Sequence, residues 1–253
     1  MKFTLTGSGT SQGVPVIGCS CQICQSIDPK DKRLRASGIL ETDNTTLVFD
    51  TGPDFRQQML RAQVKSLDAV VFTHQHKDHV AGLDDVRPFN FLQRRNMDIY
   101  ASEDVLIQLK KEFSYIFDDD AYPGIPKLTL HQIGIAPFQI GDIELTPIPV
   151  MHGKMPVLGF RAGSFAYLTD VNFISPSSME LLKGVDYLVL DALRQAKHHS
   201  HFSLNEAIDI ALEIGAKRTF FTHISHLMGK TEDVTPSLPI NIELGYDGLV
   251  LEM

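Results

Sequence analysis

The sequence predicts an α/β protein, on three observations. Short β-branched and aromatic runs alternate along the chain with longer helical patterns. The 253 residues, 43% hydrophobic and 21% charged, have the composition of an ordinary globular chain, long enough to bury a core without disulfides. No charge run, low-complexity segment or long linker divides them, so residues 1–253 read as a single domain.

The elements follow from local pattern. Strands are expected at 2–6, 46–49, 69–73, 143–150, 165–169, 187–190, 219–222 and 249–251, each a short apolar run bounded by turn residues. Helices are expected at 55–62, 103–117 and 204–214. The last has the clearest signature: Ser203 and Glu206 form a capping box, Leu204, Ala207, Ile208 and Ala211 share one face, and Gly215 follows as the C-cap. Two strands end alike, Val70-Val71-Phe72-Thr73-His74 and Thr219-Phe220-Phe221-Thr222-His223, an echo that two similar halves would produce.

Charge and composition narrow the function. A net charge of −8 argues against a sequence-indifferent nucleic-acid binder, which needs a basic face for phosphates. The N-terminus, Met1-Lys2-Phe3-Thr4-Leu5-Thr6-Gly7, has no apolar signal core, and no apolar run approaches the ~18 residues of a membrane span. A cytoplasmic protein is expected. Its three cysteines, Cys19, Cys21 and Cys24, are odd in number and clustered, which fits metal ligation or redox chemistry rather than a disulfide framework.

The chemistry concentrates in His74-Gln75-His76-Lys77-Asp78-His79, directly after a strand. Three imidazoles and a carboxylate within six residues suit Zn²⁺ or a similar divalent ion. His74 and His76 point the same way in an extended turn and can chelate one ion, while Asp78 and His79, past the bend, reach a second. Remote partners at strand ends are His152, Asp170 and His223.

This set resembles the metallo-β-lactamase superfamily of metal-dependent hydrolases. The resemblance implies a four-layer αβ/βα sandwich of two similar halves. It also implies that His74, His76 and His152 hold one metal, and Asp78, His79 and His223 the other, with Asp170 bridging. Asp50, after Leu47-Val48-Phe49, matches the aspartate that orients the ligands from behind.

Gly18-Cys19-Ser20-Cys21-Gln22-Ile23-Cys24 can cup one tetrahedral metal with a remote fourth ligand; read alone, it also leaves open redox use or metal-free packing. Within the superfamily, Gly9-Thr10-Ser11-Gln12-Gly13-Val14-Pro15 and this cluster are similar to the cyclic-phosphate phosphodiesterases of the carbon–phosphorus lyase (phosphonate) pathway. The similarity continues at Thr222-His223-Ile224-Ser225-His226 and Gly245-Tyr246-Asp247-Gly248. It implies a structural zinc in the loop at about 18–26, held by Cys19, Cys21, Cys24 and His226, and a homodimer.

Phosphodiester hydrolysis also needs a proton for the leaving oxygen, for which histidine is suited. By position His201 matches that family's general acid, Asp78 and Asp170 share the catalytic centre, and Lys154 matches a lysine that could grip a substrate phosphate. His198 and His199 read as rim residues, His131 and the run Asp118-Asp119-Asp120 as solvated loop. Arg56, Arg87 and Arg194 are further candidate phosphate grips. The glycines of 7–13 are expected to let backbone pass close to the metals.

The expected function is a phosphodiesterase with two active-site divalent ions (Zn or Mn) and one structural Zn. It hydrolyses a small cyclic or ribosyl phosphodiester such as 5-phosphoribosyl 1,2-cyclic phosphate through a metal-bridging hydroxide, with neither nucleic acid nor membrane as partner. The alternatives on the same scaffold are thioester or lactam hydrolysis, ribonuclease Z-like processing, and a mononuclear-iron oxygenase.

Overall fold

The structure is a computed structural model and describes residues 1–118 and 124–253. Its first sheet contains β1 (Lys2–Gly7), β2 (Ser37–Glu41), β3 (Thr46–Phe49), β4 (Ala69–Val71), β5 (Met97–Ala101) and β6 (Leu128–Gln132). The second contains β7 (Phe138–Ile140), β8 (Ile143–His152), β9 (Met155–Ala162), β10 (Phe165–Leu168), β11 (Phe173–Ile174), β12 (Tyr187–Asp191), β13 (Arg218–Thr222) and β14 (Ile242–Leu244). The last strand, β15 (Leu249–Glu252), returns to the first sheet.

The sheets repeat one topology. The first runs β15-β1-β2-β3-β4-β5-β6 and the second β11-β8-β9-β10-β12-β13-β14, with β7 paired to β8. In both, the first three pairings are antiparallel and the last three parallel. Two similar halves are therefore present, but β4 corresponds by position to β12, not to β13. The Phe-Thr-His echo thus joins strands that do not correspond. The matching pair is Asp50 after β3 and Asp170 after β10, both with left-handed backbone (φ 63° and 53°).

The core lies in three strata, which makes four layers. Phe3, Phe49, Val71, Phe160, Phe165, Tyr167 and Phe220 fill the space between the sheets. Phe49 stacks on Tyr167 at 5.1 Å and Phe3 meets Phe165 at 4.5 Å. Each such buried ring contributes roughly 1.5–3 kcal/mol from burial. The helices α1 (Phe55–Arg61), α2 (Lys77–Val80), α3 (Arg87–Gln93) and α4 (Glu103–Glu112) belong to the first half. Phe55, Met59, Phe89, Val105 and Leu109 from this group pack on the outer face of the first sheet. In the second half, α5 (Pro176–Leu181), α6 (Leu204–Ile214) and α7 (Thr231–Val234) cover the other outer face through Leu204, Ala207, Ala211 and Val234.

Several elements differ from expectation. The α6 box forms, with Ser203 N donating to Glu206 Oε2 at 3.0 Å, and Gly215 closes the helix at φ 70°. The expected helix 103–117 stops at Glu112, because Phe113 leaves helical backbone (φ −112°, ψ 38°) and buries its ring. β4 ends at Val71; Phe72 still donates its amide to Tyr100 O at 2.9 Å and stays in the core, and Thr73 and His74 turn into the site. β8, by contrast, continues to His152 in its hairpin with β9. His131 is not in a loop: it lies on β6, its ring stacked on Tyr100 at 4.5 Å and its Nε2 2.7 Å from Asp98. Asp118 is exposed, and Asp119 and Asp120 lie outside the described residues.

Candidate metal centre

Parallel strands put their carboxyl ends on one edge, and there the ligands gather. Asp50 follows β3, His74 follows β4, Asp170 follows β10, Asp191 ends β12 and His223 follows β13; His152 ends β8 at the hairpin turn. Three of these, Asp50, Asp170 and His223, have positive φ (63°, 53° and 58°). Left-handed backbone in a non-glycine residue costs on the order of 1–3 kcal/mol and persists where the surroundings enforce it. Gly52 allows the Asp50 loop to approach α2, because a Cβ there would lie 2.2 Å from Asp78 O.

Potential ligand atoms of His74, His76, His152 and Asp170 all lie within 4.8 Å of one another, as do those of Asp78, His79, Asp170 and His223. Asp170 is common to both groups. Its Oδ1 is 3.8 Å from His74 Nε2 and 3.3 Å from His223 Nε2, and its Oδ2 is 3.2 Å from His79 Nε2. Asp78 Oδ2 is 3.4 Å from His79 Nε2 and 3.7 Å from His223 Nε2.

The outer ring nitrogens fix which atoms face inward. His79 Nδ1 donates to Asp50 Oδ2 at 2.7 Å, and His152 Nδ1 donates to Ser200 O at 2.7 Å. Thr73 donates its hydroxyl to Asp50 Oδ2 at 2.8 Å and so accepts from His74 Nδ1 at 3.0 Å. With their outer nitrogens so engaged, His74 and His152 turn Nε2 lone pairs into the centre. Burial pushes the His79 pKa down, but the Asp170, Asp50 and Asp78 carboxylates outweigh it and hold His79 well above the ordinary histidine value, so its Nε2 proton is the one a bound ion would displace.

That cluster fits a divalent metal pair. The Nε2 atoms of His74, His79 and His223 are buried and make no hydrogen bond, although each lies close to a carboxylate oxygen. Orphaned buried polar atoms are costly without a partner, and imidazole nitrogens with carboxylates are the donor set that divalent ions take. Burial holds His74 and His152 below the ordinary histidine value, which keeps both neutral as ligands. Burial opposes ionisation of Asp78 and Asp170, but the neighbouring His79 and His223 outweigh it and hold both carboxyls below their usual range.

His201 is nine-tenths buried beside this centre, its Nε2 4.0 Å from Asp170 Oδ1. Its Nδ1 is 3.2 Å from both oxygens of Asp191, which also lies 3.6 Å from His223 Nδ1. Burial pushes the His201 pKa down, but the Asp191 carboxylate outweighs it and raises it to about 9, so His201 carries a proton at neutral pH. Asp191 was not among the residues the sequence singled out. Its signal was there, since an apolar strand ending in aspartate is the pattern that exposed Asp50 and Asp170.

The second cluster stands apart. His226 Nδ1 is 3.4 Å from Cys19 Sγ, 3.4 Å from Cys21 Sγ and 3.5 Å from Cys24 Sγ. These four could hold a tetrahedral ion. The Cys24 amide lowers the Cys21 thiol to about 6, whereas burial pushes Cys24 up to about 11.

The phosphate candidates fare unequally. Lys154 is exposed on the turn after His152; Gly153 N in that turn donates to Asn172 Oδ1 at 2.7 Å. Arg194 is committed to the Ala196 and Lys197 carbonyls at 3.2 and 2.8 Å, and Arg87 to Gly124 O at 3.0 Å, so neither is a free grip. Arg56 is exposed beside Leu60 and Leu92, away from the ligands. His198 is half-buried with its ring 5.2 Å from His201, and His199 is exposed. The glycines of 7–13 allow close backbone approach: a Cβ on Gly7 would meet Arg35 O and one on Gly9 would meet Arg33, while Gly9 bridges Ile224, the residue after His223.

Comparison with known proteins places this architecture. The family model described as the beta-lactamase superfamily domain matches residues 45–224. An octanoyltransferase of Porphyromonas gingivalis is 41% identical over 252 residues, covering 98% of this chain and 51% of its own length. The chain thus spans about half the length of that curated relative. The crystal structure of a diphosphatase from the PhnP family is 43% identical with a TM-score of 0.94, covering 100% of this chain and 96% of that one. Zn²⁺-bound PqqB from Methylobacterium extorquens, at 20% identity and TM-score 0.81, covers 100% of both chains and shares the fold.

Proposed function

Since the chain belongs to the beta-lactamase superfamily, we propose that it is a dinuclear metal-dependent hydrolase of a small phosphodiester, with 5-phosphoribosyl 1,2-cyclic phosphate as its substrate. The observation that carries this reading is His201, nine-tenths buried and held by Asp191 at 3.2 Å, with its Nε2 4.0 Å from the carboxylate that both ligand groups share. An acid in that place serves a reaction whose leaving group is a poor one, such as a sugar alkoxide.

His74, His76, His152 and Asp170 would hold one ion and Asp78, His79, Asp170 and His223 the other. Such ions supply Lewis acidity toward phosphoryl oxygens and lower the pKa of water. Asp50 keeps His79 oriented, and Ser200 O keeps His152 oriented. His201 gives its Nε2 proton to the departing oxygen and keeps its Nδ1 proton, which it donates to the Asp191 carboxylate that holds the ring in place. Lys154, exposed on the neighbouring turn, binds a second substrate phosphate. Cys19, Cys21, Cys24 and His226 would hold a structural zinc.

A second reading, cleavage of a diphosphate, is favoured by the diphosphatase similar over the whole chain. It makes less demand on His201, because phosphate leaves more easily than an alkoxide. The octanoyltransferase name belongs to a protein of which this chain matches half, and assigns no activity to that half. The test is hydrolysis of bis(p-nitrophenyl) phosphate, a nucleoside diphosphate and an acyl thioester by metal-loaded protein, with His76→Ala as control. Diester cleavage lost in the control supports the reading; thioester cleavage alone overturns it. Among the described residues no helix is long and apolar enough to cross a membrane.

A further inference from the structure

The loop that carries Cys19, Cys21 and Cys24 is joined to the metal centre by a short, unusually well anchored segment. Ser8–Thr10 leaves the end of β1 and lies against Ile224, the residue that follows His223 and comes two before His226. Ile224 N donates to Ser8 O at 2.9 Å, and Thr10 N donates to Ile224 O at 3.1 Å. The segment is fixed from its other side too. Ser8 N and Oγ both donate to Asp247 Oδ1 at 2.8 Å, and Gly9 N donates to Leu34 O at 2.7 Å.

Arg33, 4% exposed, sits at the middle of this arrangement. It donates to Ser8 Oγ at 2.9 Å and to Thr231 Oγ1 at 3.0 Å, while Thr231 N and Oγ1 both reach Asp31 Oδ1 at 2.8 Å. Its backbone pairs with Val14 in both directions, at 2.7 and 2.9 Å, just before the cysteine loop, where Val16 N meets Cys24 Sγ at 3.3 Å. His223, the ligand next to Ile224, has the left-handed backbone (φ 58°) that surrounding contacts must enforce. None of these contacts touches His74, His76 or His152.

We infer that the cysteine cluster and the Arg33–Ser8–Asp247 network are one positioning device for His223. A metal held by Cys19, Cys21, Cys24 and His226 raises metal affinity at the Asp78–His79–Asp170–His223 group and leaves the His74–His76–His152 group nearly unaffected. The inference rests on the metal-site reading proposed above. Closing the cysteine loop on His226 pins Ile224 from one end while Ser8–Thr10 pins it from the other. The strained backbone of His223 is then held before any active-site ion arrives. By linkage, an ion at His223 also tightens zinc binding in the cysteine loop by the same factor.

The test is manganese binding followed by electron paramagnetic resonance. Proteins that keep all three thiolates are first given one equivalent of zinc, which soft thiolates prefer and manganese does not contest, whereas Cys21→Ser is kept zinc-free so that no displaced zinc competes at the histidine groups. A His76→Ala background isolates the His223 group, and a His223→Ala background isolates the other. Adding Cys21→Ser is expected to weaken manganese about tenfold in the first background and less than twofold in the second. Ser8→Ala keeps all the thiolates and is expected to weaken only the first, by about two- to tenfold. Equal weakening at both groups, or none at either in folded protein, overturns the inference. If Cys21→Ser does not fold, Ser8→Ala decides by the same criterion. A parent chain that binds no manganese overturns the metal-site reading itself, whereas binding indifferent to the loop overturns the coupling alone.

Discussion

The two ligand clusters are built in opposite ways. The histidine–aspartate centre draws its seven candidate ligands from four separate chain segments, is buried apart from the exposed His76 and half-buried Asp78, and includes two residues with left-handed backbone, with a third such residue, Asp50, behind them. The cysteine cluster draws three of its four members from six consecutive residues, and two of its thiols are partly exposed. The first presents hard and borderline donors around a carboxylate shared between two groups; the second presents soft donors closing on a single point. The difference teaches where strain is tolerated. On the proposed reading, a centre that has to leave room for substrate is held by the whole sandwich, whereas a closed structural site would need little more than a loop and one distant histidine.

The comparison breaks most sharply at the shared carboxylate. Asp170→Asn is expected to lower kcat for an alkyl phosphodiester by roughly a thousandfold or more, since it disables both groups at once. Metal analysis should show loss of active-site ions with the cysteine-bound ion retained. Loss of all metal together would mean that the two clusters are not separate.

His201→Ala comes next. It is expected to cost about a hundred- to ten-thousandfold with alkoxide leaving groups but less than about tenfold with p-nitrophenolate. Equal losses on both would remove the acid role. Cys21→Ser reads the other cluster: a stability loss of about 3 kcal/mol and a melting point lower by roughly 6–12 °C, with one fewer bound zinc. An unchanged metal count would contradict a structural ion there.

The smallest expected effect concerns pH. Because Asp191 raises the pKa of His201 to about 9, the protonated form is favoured by folding. Its contribution is fully present below the ordinary histidine value and is lost as pH rises through about 9. Activity on alkoxide leaving groups should fall over the same upper range. Asp191→Asn should move that alkaline limb to lower pH and reduce kcat about tenfold or more. A limb that does not move would separate Asp191 from the proton.

Much of the centre was legible because a single turn concentrates it. His74–His79 is contiguous, and Asp170, His152 and His223 each follow an apolar strand. Asp191 follows one too, yet a lone aspartate after Leu188-Val189-Leu190 has no neighbour to mark it, and its role appears only when β12 lies between β10 and β13. Seven of the described strands, β2, β5, β6, β7, β9, β11 and β14, escaped notice, and several have plain physical reasons. β9 contains Pro156 and Gly159, β6 is a half-buried edge strand, and β7, β11 and β14 have only two or three residues each. The glycines of 7–13 do admit close backbone approach: Gly7 and Gly9 press on Arg35 and Arg33, and Gly9 bridges Ile224 beside His223, contacts between distant segments that no local pattern encodes. The Phe-Thr-His echo misled, because local likeness does not reveal which strands occupy equivalent places in the two sheets.

The most direct measurement is phosphorus NMR of 5-phosphoribosyl 1,2-cyclic phosphate with metal-loaded protein, set against the His76→Ala variant. Ring opening to a ribose bisphosphate, absent in the variant, is the predicted result. An unchanged cyclic phosphate signal, with that variant and the parent alike inert, would contradict the assignment of this centre to cyclic phosphodiester hydrolysis.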